Sequence, residues 1–380
     1  MKSIPRFSLA RLLAGAMLIV CCGMTASAQQ LVQPTVPPLP LLPSVEAGAT
    51  EMSWPPPATM SPGYWIVGSQ SSPQSFDKSG PVFCPLVTRY DQGVGFRQAD
   101  MQELTQSLQP GTPVCIFSHG SFVSWQDVLV ESRETWKWLH HACPEQPVQM
   151  IHFSWPSDRP IFSPVIQLDV NRLGRRAGRN GFYMASLVQQ IPSECPICLI
   201  GHSHGTRVIA SALHLTAGGA VEGYTLAAGP FPQHRVRAVF AASAMDHKWL
   251  NPGERYGLAL CSVECVLNLK NSCDPALLIY PLRRPFSCGA LGFTGITRGD
   301  RRNLGPGGCK IRDLDLTEEI GIGHYWPNYF QRPWLARAIR NYLFLGEQAA
   351  NPQHTQLTDA TFGNLGKGCG LPVERSALAR

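Results

Sequence analysis

The sequence predicts an α/β fold, in which a mostly parallel central sheet carries helices on both of its faces. The first observation is that short apolar runs, typical of buried strands, alternate along residues 63–349 with segments of helical periodicity. Such alternation indicates parallel strands joined by crossover helices. The second observation is a strand, a tight turn and a helix in immediate succession around Ser203. Residues 63–349 have the length of one domain of this class.

The predicted elements are justified by their hydrophobic periodicity, in chain order. Short apolar runs predict strands at 64–67, 82–88, 113–117, 148–153, 197–200, 236–242, 265–269 and 311–316. Apolar residues three and four positions apart predict helices at 100–108, 125–141, 165–190, after residue 205, and at 334–345. Gly181 predicts a break in the helix at 165–190, because glycine destabilises a helix interior.

The ends of the chain predict an exported protein, periplasmic or extracellular. Residues 1–28 combine a basic start, an apolar stretch and Ala26-Ser27-Ala28, which is typical of a secretory signal peptide with its cleavage site. The apolar stretch is too short to remain as a membrane span. Residues 29–62 are rich in proline and predict a semi-rigid linker, and residues 350–380 predict a polar C-terminal tail.

The net charge argues against a nucleic-acid partner or an anionic membrane surface. The formal charge is +6, and residues 1–28 contain one lysine, two arginines and no acidic residue, so +3 remains after cleavage. No basic stripe stands out along the chain.

Cysteine usage agrees with an oxidising compartment. Of 13 cysteines, Cys21 and Cys22 lie in the signal peptide, which leaves 11 in the mature chain. Several are expected to pair, and an odd number leaves at least one free or intermolecular. Zinc is an alternative for four possible ligands, Cys195, Cys198, His202 and His204. Alternation of side chains along the strand argues against zinc, so we expect no metal site at these residues.

The most specific motif is Gly201-His202-Ser203-His204-Gly205, a G-x-S-x-G pattern. It follows the apolar strand at 197–200 and precedes a helix, which is the context that a nucleophile turn requires. A serine on such a turn is strained, so its neighbours two positions away must be small. The alternative is an ordinary serine in a glycine-rich turn.

A second turn is expected to complete an oxyanion-binding site. The strand at 113–117 runs into Ser118-His119-Gly120-Ser121-Phe122. The backbone N–H of Ser121, or of Phe122, is the candidate for one donor, and that of His204 for the other. Two preorganised donors of this kind stabilise a tetrahedral oxyanion by roughly a few kcal/mol each. An ordinary His-Gly loop is the alternative.

A serine hydroxyl needs a histidine as general base, and the histidine needs an acidic residue to orient it. The expected order of the three residues along the chain is Ser, acid, His. His324 lies on a Gly-flanked loop after the last predicted strand and is preferred over His234 and His247. For the acid, Asp274 follows the strand at 265–269 and is preferred over Asp246, which follows the strand at 236–242. A turn aspartate that caps its own backbone is the alternative role for either.

After the fourth predicted strand the chain reads Phe153-Ser154-Trp155-Pro156-Ser157. Together with the His-Gly turn and Gly-His-Ser-His-Gly, this segment resembles the α/β-hydrolase superfamily, in particular a bacterial branch with a similar Ser-Trp-Pro segment. The resemblance covers residues 112–345. Many members of that branch have methionine where this chain has His204.

The resemblance implies an α/β-hydrolase fold and serine-dependent cleavage of an acyl bond, a carboxylic ester before an amide or thioester. It also implies that neither a metal nor an organic cofactor is needed. The substrate implied is a small-molecule or lipid-like ester, with His119 and Trp155 as substrate-binding residues. Residues 276–310 contain several arginines and are long for a loop between the last two predicted strands, so a further hypothesis is that they fold over the site as a small lid pinned by a Cys288–Cys309 disulfide. One role for the arginines of this segment is to favour an anionic substrate. The alternative is that they belong to a loop exposed to solvent. Two other functions remain open, a non-catalytic binding or scaffold protein and an acyltransferase that uses the same triad.

Overall fold

The computed structural model describes residues 62–76, 80–158, 166–226, 234–283 and 287–345, all within one compact unit of the chain. The predicted signal peptide, nearly all of the proline-rich segment and the predicted C-terminal tail lie outside the described residues. No helix in the described ranges is long and apolar enough to cross a membrane.

Nine strands form one sheet. Their bounds are β1 Gly63–Gly68, β2 Leu86–Asp91, β3 Gly95–Ala99, β4 Val114–Ser118, β5 Gln149–Ser154, β6 Ile197–His202, β7 Val236–Ala241, β8 Cys265–Lys270 and β9 Ile311–Asp315. The strand order is β3-β2-β1-β5-β4-β6-β7-β8-β9. Only the β1–β2 and β2–β3 pairs are antiparallel, and the parallel strands end at one common edge.

The helices are α1 Met101–Ser107, α2 Trp125–His140, α3 Ile166–Val188, α4 Gly205–Thr216, α5 Pro275–Leu278, α6 Leu291–Thr294, α7 Arg298–Leu304, α8 Thr317–Ile320, α9 Pro327–Phe330 and α10 Pro333–Ala338. Short 3-10 turns occur at His247–Leu250, Ala259–Ser262, Tyr280–Arg283, Gly305–Lys310 and Arg340–Leu343. Strand β3, a polar strand at the edge of the sheet, was not predicted. In place of the closing helix expected at 334–345, the structure has the short helix α10 followed by the 3-10 turn Arg340–Leu343.

Apolar side chains cover both faces of the sheet. On one face α3 and α4 pack through residues such as Leu173 and Val208, and on the other α2, α9 and α10 pack through Val128, Tyr329 and Leu335. Burying one such aliphatic or aromatic side chain contributes roughly 1.5–3 kcal/mol. This two-sided core confirms the predicted α/β architecture.

Helix α3 runs without a break through Gly181, contrary to the prediction. A β-carbon at Gly181 would overlap the side chain of Ser211 on α4. Gly181 therefore lets the two helices approach closely, and this packing offsets its poor helix propensity, which is about 1 kcal/mol below that of alanine.

Candidate active site

Ser203 lies on the tight turn between β6 and α4, at the carboxyl edge of the sheet. Its φ of 50° lies in the left-handed region. This conformation is unfavourable for serine and persists only when surrounding contacts stabilise it. The Ser203 N–H donates to the carbonyl oxygen of Ala241 on β7 (2.9 Å). A β-carbon on Gly205 would overlap the carbonyl oxygens of Ser118 and His119, so this position requires glycine.

A chain of hydrogen bonds joins Ser203, His324 and Asp274. The Nε2 atom of His324 is 3.2 Å from the Ser203 hydroxyl oxygen, and its Nδ1 is 2.6 Å from Oδ2 of Asp274. An ionised carboxylate only accepts, so Nδ1 carries the proton and Nε2 presents a lone pair to Ser203. This arrangement can activate a serine as a nucleophile.

Asp274 is fully buried and is held by two further hydrogen bonds. Its Oδ1 accepts from the N–H groups of Ala276 (2.9 Å) and Leu277 (3.1 Å), at the start of α5. The carboxylate therefore caps this helix with one oxygen and orients His324 with the other. The two roles that the sequence offered as alternatives for this residue occur together.

Asp246, the other candidate acid, has different partners. Its Oδ1 accepts from the hydroxyl of Tyr280 (2.8 Å) and forms an ion pair with Arg283, and both charged residues are buried. The structure thus brings Asp274 to His324 and places Asp246 in a separate buried ion pair. Arg283 is occupied there as well, which gives no support to its interaction with an anionic substrate.

The loop that carries His324 is held by two residues that sequence reasoning missed. His202 Nε2 donates to the carbonyl oxygen of His324 itself (2.7 Å). Burial, and next the neighbouring His324, lower the pKa of His202 to about 3, so its ring stays neutral. Asn271 Nδ2 donates to the carbonyl oxygens of Gly321 (2.8 Å) and Gly323 (3.2 Å). The place of Asn271, directly after β8, was the only sequence signal for such a role.

The loop after β4 passes directly over Ser203. A β-carbon on Gly120 would lie 3.0 Å from the Ser203 β-carbon. The Phe122 N–H donates to the carbonyl oxygen of Ser157 (2.8 Å), so it is not free to bind an oxyanion. Within the described residues, the N–H groups of Ser121 and His204 make no hydrogen bond. Of the two donors considered for this loop, only the Ser121 N–H therefore remains available.

His119 and Trp155 stabilise the loop after β4 and do not line an open pocket. Both are buried, and their rings stack with centroids 5.7 Å apart. The Trp155 indole N–H donates to the His119 carbonyl oxygen (2.9 Å), and the Trp155 backbone N–H donates to His119 Nε2 (3.2 Å). Burial lowers the pKa of His119 to about 4. These contacts do not favour the substrate-binding role expected for the two residues.

The expected lid region is largely folded. Residues 276–310 contain α5, α6, α7 and two 3-10 turns, although residues 284–286 are not described. Cys288 is a free thiol, so the structure gives no support to the Cys288–Cys309 disulfide. Among the described residues, no three His, Cys, Asp or Glu side chains lie close enough together to bind a metal ion.

The mostly parallel sheet, the helices on both faces and the serine turn after β6 define an α/β-hydrolase fold. Residues 97–238 match the model of a family described as "Alpha/beta hydrolase of unknown function (DUF900)". This match covers β4, β5, β6 and the Ser203 turn, and it agrees with the resemblance drawn from the motifs.

Neither the curated proteins nor the solved structures add to this assignment. No curated protein matches the sequence. Among solved structures, the chain is similar to EstE1, a thermophilic and thermostable carboxylesterase cloned from a metagenomic library. The identity is 10%, the TM-score is 0.32, and the alignment covers 70% of this chain and 87% of EstE1. A likeness at this level supports no inference about fold or substrate.

Proposed function

We propose that this protein is an exported serine hydrolase that cleaves a carboxylic ester through an acyl-enzyme. Ser203 is the nucleophile, His324 the general base and acid, and Asp274 the residue that orients His324. The observation that carries the proposal is the hydrogen-bond chain from Ser203 through His324 to Asp274, with distances of 3.2 and 2.6 Å. Export rests on the signal-peptide pattern of residues 1–28.

The reaction follows from these positions. His324 Nε2 takes the hydroxyl proton while Ser203 Oγ bonds to the ester carbonyl carbon, and the N–H groups of Ser121 and His204 bind the resulting oxyanion. When the intermediate collapses, the C–O bond to the alcohol breaks, and His324 returns the proton to the departing oxygen. A water molecule, deprotonated by His324, then attacks the acyl carbon; when the bond from that carbon to Ser203 Oγ breaks, His324 gives the proton to Oγ, and the acid and free Ser203 are released.

Exposed apolar side chains near the triad support an ester with an apolar group. Ile322 and Tyr325 flank His324 and are 83% and 75% exposed, and Leu278 lies one helical turn after Asp274. Apolar side chains gathered beside a polar reactive centre are typical of ligand sites.

A fluorophosphonate probe tests the proposal, because it reacts only with an activated serine. We expect the mature protein and the control variant Ser193→Ala, at an exposed serine remote from the triad, to be labelled, and Ser203→Ala to remain unlabelled. Hydrolysis of p-nitrophenyl esters of increasing chain length then defines the acyl preference. Absence of labelling in folded protein would favour a binding protein. A transesterified product formed in preference to free acid, with alcohol added, would favour an acyltransferase.

A further inference from the structure

One side-chain hydrogen bond joins Ser121 and His204, the two residues whose backbone N–H groups are the proposed oxyanion donors. His204 Nδ1 and Ser121 Oγ are 2.6 Å apart. His204 follows Ser203 on the turn and is 3% exposed, whereas Ser121 belongs to the loop after β4. The bond therefore ties the serine turn to the loop that crosses it. Neither side chain has a role in the reaction described above.

The His204 ring is neutral. Burial first, and then the positive charge of Arg207, hold the pKa of His204 well below its usual value. A neutral imidazole carries one proton, so one ring nitrogen donates and the other accepts. Which nitrogen holds the proton decides the direction of the bond to Ser121.

The surroundings of His204 Nε2 place the proton on Nδ1. His204 Nε2 is buried and has no hydrogen-bond partner among the described residues. It lies beside Arg207: the guanidinium and His204 Nε2 are both within 3.3 Å of the position that a β-carbon on Gly174 would take. A proton on Nε2 would be a buried, unpaired donor beside a cation, whereas a lone pair there is stabilised by the cation.

With the proton on Nδ1, His204 donates and Ser121 Oγ accepts. The Ser121 hydroxyl proton is then free to point elsewhere, and among the described residues Ser121 Oγ has no other partner. Ser121 directly follows Gly120, which packs against the Ser203 side chain. The hydroxyl therefore belongs to a loop that packs against the nucleophile, it is held by His204, and its proton is unassigned.

We propose that the Ser121 hydroxyl is a third hydrogen-bond donor to the oxyanion, and that the His204 side chain is the positioning residue that aims it. This inference rests on the proposed hydrolase function. In the tetrahedral intermediate, Ser121 Oγ–H donates to the oxyanion while Oγ accepts from His204 Nδ1–H. Because the negative charge develops only in the transition state, the bond lowers the barrier and contributes little to substrate binding.

The test compares Ser121→Ala, Ser121→Thr and His204→Phe, with Ser193→Ala as the matched control. Removing one oxyanion donor typically costs about 10²–10³-fold in kcat, and for one donor of three we expect a loss of about 10–100-fold for Ser121→Ala, with KM changed by less than about twofold. Ser121→Thr keeps the hydroxyl and restores a large part of the rate. His204→Phe loses less than Ser121→Ala, and the double variant loses no more than Ser121→Ala, because both changes remove one interaction.

Two further readouts separate this role from a structural one. Affinity for a trifluoromethyl ketone, which forms an oxyanion on Ser203, should fall in Ser121→Ala by the same factor as kcat. Long-range ¹H–¹⁵N NMR correlations of histidine-labelled protein, assigned with His204→Phe, should show the His204 proton on Nδ1.

The inference fails if the proton is on Nε2, or if Ser121→Ala keeps the wild-type kcat and ketone affinity while wild-type protein still reacts with the fluorophosphonate. If the wild-type protein does not react with the probe, the proposed function itself fails. The two failures are therefore distinguishable.

Discussion

Two aspartates that follow neighbouring strands differ in the partners that their carboxylates meet. Asp274 faces His324 and the start of α5, and Asp246 faces Arg283 and Tyr280. Each follows a strand of the parallel sheet, so the sequence favoured Asp274 but left Asp246 open as the alternative. The assignment depends on contacts between residues far apart in the chain, such as the 50 residues between Asp274 and His324.

The pair Asp274→Asn and Asp246→Asn tests the division of roles. With Asp274→Asn, His324 loses the partner that selects its tautomer, so we expect kcat to fall by about 10⁴-fold, as for the corresponding change in a Ser-His-Asp triad. The amide oxygen of the new residue still caps α5, so the free energy of unfolding should change little. Steady-state kinetics and urea unfolding measure the two effects.

The opposite pattern is expected for Asp246→Asn. It leaves the buried Arg283 guanidinium without its counter-charge, which typically costs about 3–5 kcal/mol of stability. The folded fraction should keep a kcat near that of the wild type. A large loss of kcat in Asp246→Asn, with Asp274→Asn fully active, would reverse the assignment of the acid.

At the scale of elements, the sequence predicted the features that depend on local pattern. The strand 197–200, the turn at Ser203 and the helix after Gly205 correspond to β6 and α4, because apolar periodicity and small residues specify them locally. Strand β3 was missed because it is a polar edge strand that buries no continuous apolar face. The sequence did not predict the packing of His119 against Trp155. It also did not predict the hydrogen bonds from His202 and Asn271 to the His324 loop. These contacts join segments that are far apart in the chain.

The turn between β6 and α4 makes a direct prediction for Gly205. Its missing β-carbon leaves room for the carbonyl oxygens at the end of β4, which are backbone atoms that side-chain rotation does not move. Gly205→Ala should therefore destabilise the protein by about 1–3 kcal/mol or more, the range known for overpacking of a rigid site. Any folded fraction should label poorly with fluorophosphonate, because the serine turn has shifted.

The control is Gly307→Ala, where the new β-carbon meets open space and φ is not positive. Its thermal unfolding midpoint should remain within a few degrees of the wild-type value, because an unstrained surface substitution changes stability by about 0.5 kcal/mol or less. If Gly205→Ala were as stable and as reactive as Gly307→Ala, the close approach of β4 to the turn would be wrong.

For the whole molecule, burial of ionisable side chains sets the pH range of stability. Burial lowers the pKa of His119 to about 4 and that of His202 to about 3, and it holds the pKa of His204 well below its usual value. All three are neutral in the folded state, whereas in the unfolded chain each takes up a proton near its ordinary pKa of 6.5. Their contribution is therefore fully present above that pH and is lost as the pH falls toward the folded values.

Glu131 on α2 acts in the opposite direction. Burial, and next the charge of Asp127, raise its pKa from 4.5 to about 8, and its Oε2 has no partner among the described residues. The folded protein keeps this carboxyl protonated at a pH where the unfolded chain has released the proton. Stability due to this group is thus present below pH 4.5 and is lost as the pH rises toward 8.

We therefore expect the free energy of unfolding to pass through a maximum between these two limbs and to fall on the acid side by about 1–2 kcal/mol per buried histidine from pH 7 to pH 5. Urea unfolding at intervals of half a pH unit measures both limbs. His119→Asn removes the imidazole that takes up a proton on unfolding, so it should flatten the acid limb alone. Glu131→Gln should flatten the alkaline limb and steepen the acid limb, because the contribution of Glu131 changes over the whole range from pH 4.5 to about 8 and opposes that of the histidines. Equal slopes in all three proteins would mean that these groups are not buried from water as the structure has them.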